Sequence, residues 1–323
     1  MQQKNSTAQF DSSKIPTKVA KTLRGHEGYV NVAKFSSDFN YCVSGSSDRS
    51  VIIWNPYKGT LIKQYKGMHN KEVLDAYVTK DNSKISSVGG DKGVFYWDII
   101  TGKSIKRFSG HDARVNSVTM NKEETVIVSG SYDGSVKFWD LKQSKPVCLD
   151  TVRCFKDSVT DVIVSNFNIY ASSVDGYVRH MDMRAGEITS DYIGEAIVGM
   201  DMTADKKSLI VNTLDSKIRL LNIGLGEELA VYEGHQNKNY MVNCKLSKDN
   251  SFFVTGSEDG VGYVYQFLST VPVGRLYGHN DTVSSVDVSR KDGSVLTGSY
   301  DGTLRLWIRR GFEGAGSMGR GLY

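Results

Sequence analysis

The chain has 323 residues, of which 39% are hydrophobic, 24% charged and 10% aromatic. That excludes a mostly disordered chain, which needs few aromatics and a high net charge. The 40 Lys+Arg against 36 Asp+Glu leave a net charge of +4, too small by itself to point to nucleic acid or an anionic membrane. Glycine is abundant (32) and proline scarce (4), a balance that implies many tight turns. The four cysteines, Cys42, Cys148, Cys154 and Cys244, form no close pair of soft ligands, so a zinc site is not expected and reduced thiols are. The N-terminus lacks the apolar core of a secretory signal, and no apolar run reaches the roughly 18 residues of a membrane span, so a soluble intracellular protein is expected.

In chain order, residues 1–16 read as a disordered polar tail and 17–23 as a strand with no neighbour in sequence to pair with. A repeat then begins. A turn aspartate followed six residues later by a bulky residue recurs seven times: Asp48/Trp54, Asp91/Trp97, Asp133/Trp139, Asp175/Met181, Asp215/Leu221, Asp259/Tyr265 and Asp301/Trp307. Successive aspartates lie 43, 42, 42, 40, 44 and 42 residues apart. A histidine stands 22 residues ahead of the aspartate in repeats 1, 2, 3 and 7 (His26, His69, His111, His279), and His235 stands 24 ahead in repeat 6. Within a unit the hydrophobic period is two. Repeat 3 gives runs at 115–120, 126–131, 136–139 and 146–152, separated by turn residues. No helical stripe of a dozen residues is present. Four short strands per unit of about 42 residues is the signature of a propeller blade. The sequence therefore predicts one all-β, seven-bladed β-propeller over 17–309, with 310–323 as a Gly-rich flexible tail. The last repeat ends with three strands, so the unclaimed N-terminal strand is predicted to complete blade 7 and close the ring.

With Gly25-His26 and Trp54-Asn55, Gly110-His111 and Trp139-Asp140, and their counterparts in register, the chain resembles the WD-repeat β-propellers over roughly residues 17 to 309. The resemblance implies a buried network in which the aspartate holds the histidine, the histidine meets a Ser or Thr four residues before the aspartate, and that hydroxyl meets the tryptophan N–H. The residues implied are His26, Ser44, Asp48 and Trp54; His69, Ser87, Asp91 and Trp97; His111, Ser129, Asp133 and Trp139; and His279, Thr297, Asp301 and Trp307. Blade 6, with Tyr265 for tryptophan, is expected to come close. Blades 4 and 5 (Ala171/Met181 and Val211/Leu221) are expected to rely on apolar packing instead, so that His111→Ala should cost more stability than Asp175→Ala.

Catalysis finds little support. Ser, His and Asp recur at a structural spacing, whereas an enzyme needs one site. Gly314-Ala315-Gly316-Ser317-Met318-Gly319 reads as G-x-G-x-x-G, but only four residues follow it, too few for the helix and strand of a dinucleotide fold. No cofactor and no metal are expected, and function falls to surfaces. The positions entering each first strand and preceding each turn aspartate lie on one face, the top, and supply Tyr29, Arg114, Tyr132, Tyr240, Glu258 and Tyr300. Tyrosine and arginine are enriched among interface hot spots, so this face is the candidate partner-binding surface for a protein or peptide.

Longer segments carry a finer resemblance. Trp54-Asn55-Pro56, Glu72-Val73-Leu74-Asp75-Ala76, Gly89-Gly90-Asp91-Lys92, Val174-Asp175-Gly176-Tyr177-Val178-Arg179 and Ser190-Asp191-Tyr192-Ile193-Gly194 are similar to the mitogen-activated protein kinase organiser group. That resemblance implies a non-enzymatic scaffold, nuclear and cytoplasmic, serving spliceosomes in pre-mRNA splicing or a kinase cascade. Splicing factors or kinase-cascade components are then the implied partners, with no direct nucleic acid or membrane binding and a monomeric propeller within larger complexes. The alternative is a substrate receptor of a cullin-type ubiquitin ligase, resting on Met181-Asp182-Met183-Arg184 as a degraded W-D-x-R ending.

Overall fold

Residues 15–309 are described by a computed structural model of the chain. They form seven four-stranded antiparallel sheets, arranged as the blades of a β-propeller, and contain no helix. Blades 1 to 6 take their strands consecutively, from residues 30–65, 73–109, 115–152, 159–192, 197–233 and 244–276. Blade 7 takes three strands from 283–308, and its outer strand is Lys18–Arg24, antiparallel to Thr303–Ile308 with Arg24 opposite Thr303. The predicted closure is thus realised. Leu23 of the closing strand is 1% exposed and packs with Leu304 and Leu306 of blade 7 and Trp54 of blade 1. The tail boundary differs from expectation. Ile15 is 3% exposed against Val264, Leu276 and Trp307, so the propeller begins at least two residues before the predicted 17. The remainder of both expected tails, including the glycine-rich 310–323, lies outside the described residues.

Burial follows strand position. The second strand of each blade is almost wholly buried, as in Cys42–Ser46, whereas outer strands such as Glu187–Tyr192 are mostly exposed. Hydrophobic clusters bridge blades rather than filling one: Val88, Val94 and Phe108 of blade 2 pack with Val115, Val118 and Trp139 of blade 3. Such close approach accounts for some of the glycine. A Cβ on Gly45 or Gly130 would stand 2.6 Å from Val73 or Val159 of the following blade.

Side chains of the inner strands stitch every blade junction around the central channel. Asp75 accepts the Val118 N–H (2.9 Å), Ser117 that of Val162 (3.2 Å) and Asp161 that of Met200 (3.4 Å). Asp201 accepts from Leu246 (2.9 Å) and Asn243 from Val286 (2.6 Å). Ser285 and Asp287 accept from Ala33 and Phe35, joining blade 7 to blade 1. Asn31 completes the circuit by donating to the Val73 carbonyl at 2.9 Å. Two lysines balance part of this acidic ring: Lys34 pairs with Asp75 at 2.5 Å and Lys245 with Asp201 at 3.0 Å. Burial raises the Asp161 and Asp287 carboxyls above the ordinary carboxylate range, partly offset by Lys245 and Lys34.

Candidate interaction face

The turn aspartates set the top face, and their partners fix its loops. In blades 1, 2, 3 and 7 the predicted networks are present. His26 Nδ1 lies 2.8 Å from Asp48 and Nε2 2.7 Å from Ser44 Oγ, which also accepts the Trp54 Nε1–H at 2.8 Å. His69, His111 and His279 repeat this with Asp91/Ser87/Trp97, Asp133/Ser129/Trp139 and Asp301/Thr297/Trp307 at 2.7–3.0 Å. An ionised carboxylate only accepts, so Nδ1 donates to it and Nε2 accepts from the hydroxyl. Burial opposes ionisation of Asp48, Asp133 and Asp301, but hydrogen bonds from the histidine and a neighbouring hydroxyl outweigh it and hold these carboxyls well below the usual range. That hydroxyl, Ser50, Ser135 or Thr303 two residues after the aspartate, is one that sequence reasoning missed.

The other blades keep the aspartate and change its partner. In blade 4, Arg179 pairs with Asp175 at 2.9 Å, both side chains at most 6% exposed, with its guanidinium against the rings of Phe155 (4.5 Å) and Tyr177 (4.7 Å). In blade 5, Arg219 pairs with Asp215 at 2.5 Å and with Glu228 at 3.2 Å. Apolar packing by Ala171, Met181, Val211 and Leu221 is present as expected, but it is not the whole replacement, and the buried guanidinium argues for a larger cost of Asp175→Ala than the sequence implies. Blade 6 also departs from expectation. Tyr263 donates to Asp259 at 2.7 Å, while His235 turns to Asn212 of blade 5 at 3.1 Å rather than to Thr255, because two extra residues separate it from its aspartate.

His235 gives the fold an acid-sensitive point. Burial lowers its pKa to about 4 against the opposing charges of Asp259 and Asp215. A histidine in the unfolded chain protonates near 6.5, so between those values the unfolded state binds more protons and stability falls as pH drops. A His235→Gln variant is expected to lose less stability than wild type between about pH 7.5 and about pH 5, read from urea midpoints. Equal losses would show that His235 does not titrate as a buried neutral group.

On the face itself the six predicted residues separate. The Tyr29 and Tyr300 rings lie 5.0 Å apart, and Tyr240 meets Tyr300 edge-on at 5.4 Å, forming one aromatic group across blades 1, 7 and 6. Arg114 stacks over Tyr132 at 4.8 Å in blade 3. Tyr29, Tyr132, Tyr240 and Arg114 are exposed and Tyr300 is half-buried, its hydroxyl pKa pushed up to about 12 by burial and by Tyr240 and Asp281. Arg114, Tyr240 and Tyr300 line a cavity of about 300 Å³ at the top of the channel. Asn31, Leu74, Asn116 and Met241 share that lining and were not singled out from sequence; the signal for the first three is their place as second residue of an inner strand, and Met241 lies three residues ahead of one. Glu258 holds the loop of this face together. Its carboxylate accepts the N–H groups of Lys238, Asn239 and Tyr240 at 2.5–3.0 Å, which places Tyr240. Arg184, of the degraded W-D-x-R ending, is exposed with its guanidinium 3.7 Å from the Phe167 ring.

The model of the WD domain, G-beta repeat, matches residues 17–55, 102–140, 226–266 and 270–307. The chain is also 33% identical over 316 residues to WD repeat domain-containing protein 83 homolog of Dictyostelium discoideum, covering 89% of this chain and 97% of that protein. The chain belongs to the WD40-repeat family. Within the family it is 39% identical over 310 residues to WD repeat domain-containing protein 83 of Rattus norvegicus and 37% identical over 305 residues to that of Homo sapiens, each alignment covering 94% of this chain and 96% of the relative. Among WD40 propellers, a blade need not match the repeat model to carry the network: blade 2 holds all four residues, while the matched blade 6 lacks the tryptophan and redirects its histidine.

Proposed function

We propose that this WD40 propeller is a non-enzymatic protein-interaction scaffold whose top face grips peptide segments of its partners. The observation that carries this is the convergence of Tyr29, Tyr240 and Tyr300, with Arg114, at the mouth of the channel. Aromatic rings bring large contact area at low entropy cost, and their hydroxyls offer donors to a peptide backbone. The partners are splicing factors or kinase-cascade components, and the protein works in nucleus and cytoplasm; the similarity to the mitogen-activated protein kinase organiser group supports this part. Native affinity purification with mass spectrometry tests it, comparing wild type with a variant carrying Tyr132→Ala, Tyr240→Ala and Tyr300→Ala. Loss of splicing factors from the folded variant supports the splicing assignment, and loss of cascade kinases the signalling one. Retention of every partner overturns the top-face assignment.

A further inference from the structure

The opposite end of the channel opens into a larger cavity of about 640 Å³, within the usual size range of ligand sites. Five cations stand around it, Lys80, Lys122, Lys206, Lys248 and Arg290, each exposed and each on a turn that follows an inner strand. Among the described residues none of the five forms an ion pair. The one carboxylate in the lining, Asp201, is already paired with Lys245. The other acids of the same turns stay ionised but stand outside the lining. Asp81, Asp205 and Asp249 accept from Thr79, Thr203 and Ser247 of their own turns at 2.6–2.9 Å. Glu124 accepts from the Tyr77 hydroxyl and the Lys80 N–H. Five blades thus set five cations around one concave space whose only lining carboxylate is already paired.

We propose that this bottom mouth binds an acidic peptide segment of a partner, one with apolar side chains set among its carboxylates. Charge complementarity selects an anion, and the lining selects its kind. Met120, Ile163, Met202 and Leu246 line the cavity between the cations. A polynucleotide backbone leaves such apolar surface unfilled, and it needs a continuous basic track rather than five cations set around a cavity. A peptide that places a leucine between glutamates satisfies both features at once. Binding here leaves the top-face tyrosines free, so one propeller holds two partners at opposite ends of its axis.

The test uses a short labelled peptide of glutamates interrupted by leucines, titrated into the full chain by fluorescence polarisation. Lys122→Gln, Lys248→Gln and Arg290→Gln combined are expected to weaken binding by about tenfold, with the wild-type affinity falling as salt rises. Tyr240→Ala with Tyr300→Ala is expected to leave it unchanged, which separates this site from the top-face assignment. The three cations are exposed, and an unchanged thermal midpoint verifies that the variant folds. No binding by wild type, equal binding by the triple variant, or displacement of the peptide by single-stranded RNA more effectively than by unlabelled peptide overturns the proposal.

Discussion

Asp175→Ala is expected to lower the free energy of unfolding by about 3–5 kcal/mol, the usual effect of removing one member of a buried ion pair. The guanidinium of Arg179 has Phe155 and Tyr177 on its faces and Asp175 as its carboxylate partner, and the pair is at most 6% exposed. Removing the carboxylate strands a charge that stacking on aromatic rings stabilises by only about 0.5–2 kcal/mol. Adding Arg179→Met to Asp175→Ala should restore most of the loss, because an apolar side chain of similar length suits a site already walled by aromatics. Urea midpoints of the two single variants and the double variant give the coupling. Additive losses would mean that the pair is not the device holding this turn.

His111→Ala is expected to cost about 2–4 kcal/mol, from a hydrogen bond to an ionised carboxylate, a second to Ser129, and the cavity left beside Trp139. Ser129 keeps the indole N–H, so the tryptophan is not orphaned. His180→Ala supplies the contrast. That histidine stacks on Tyr170 in blade 4 and is only half-buried, and its loss should cost less than about 1 kcal/mol. Thermal unfolding of the three variants should therefore rank Asp175→Ala with or above His111→Ala, and His180→Ala well below. A large effect at His180 would remove the distinction between network histidines and ordinary ones.

The seven blades were legible because the signal is local and repeated. A turn aspartate and a bulky residue six positions on mark even blades 4 and 5, which have no network histidine, and three strands in the last repeat announce the need for a fourth from elsewhere. What could not be read depends on neighbours distant in sequence. Arg179 looks like an ordinary strand residue until Phe155 is brought over its guanidinium. His235 sits in a recognisable Gly-His pair, yet a two-residue insertion sends it to Asn212 of the preceding blade. Glu258 stands at a top-face position among tyrosines, and only the folded loop shows its carboxylate spent on three backbone amides. Ile15 hid in a polar stretch for the same reason, since its apolar surroundings come from the far end of the chain.

The pairing of Lys18–Arg24 with Thr303–Ile308 has a consequence in time. The closing strand leaves the ribosome well before its partner. With roughly 280 residues between them and synthesis at about 5–20 residues per second, the strand waits some 15–60 s for its neighbour. Through that interval it is a free edge, able to pair with any other unpaired strand nearby. Newborn chains on one messenger therefore carry matching loose ends in close succession, and the hazard peculiar to this architecture is the exchange of closing strands between them. The ring that needs no edge when finished is most exposed just before its last strand emerges.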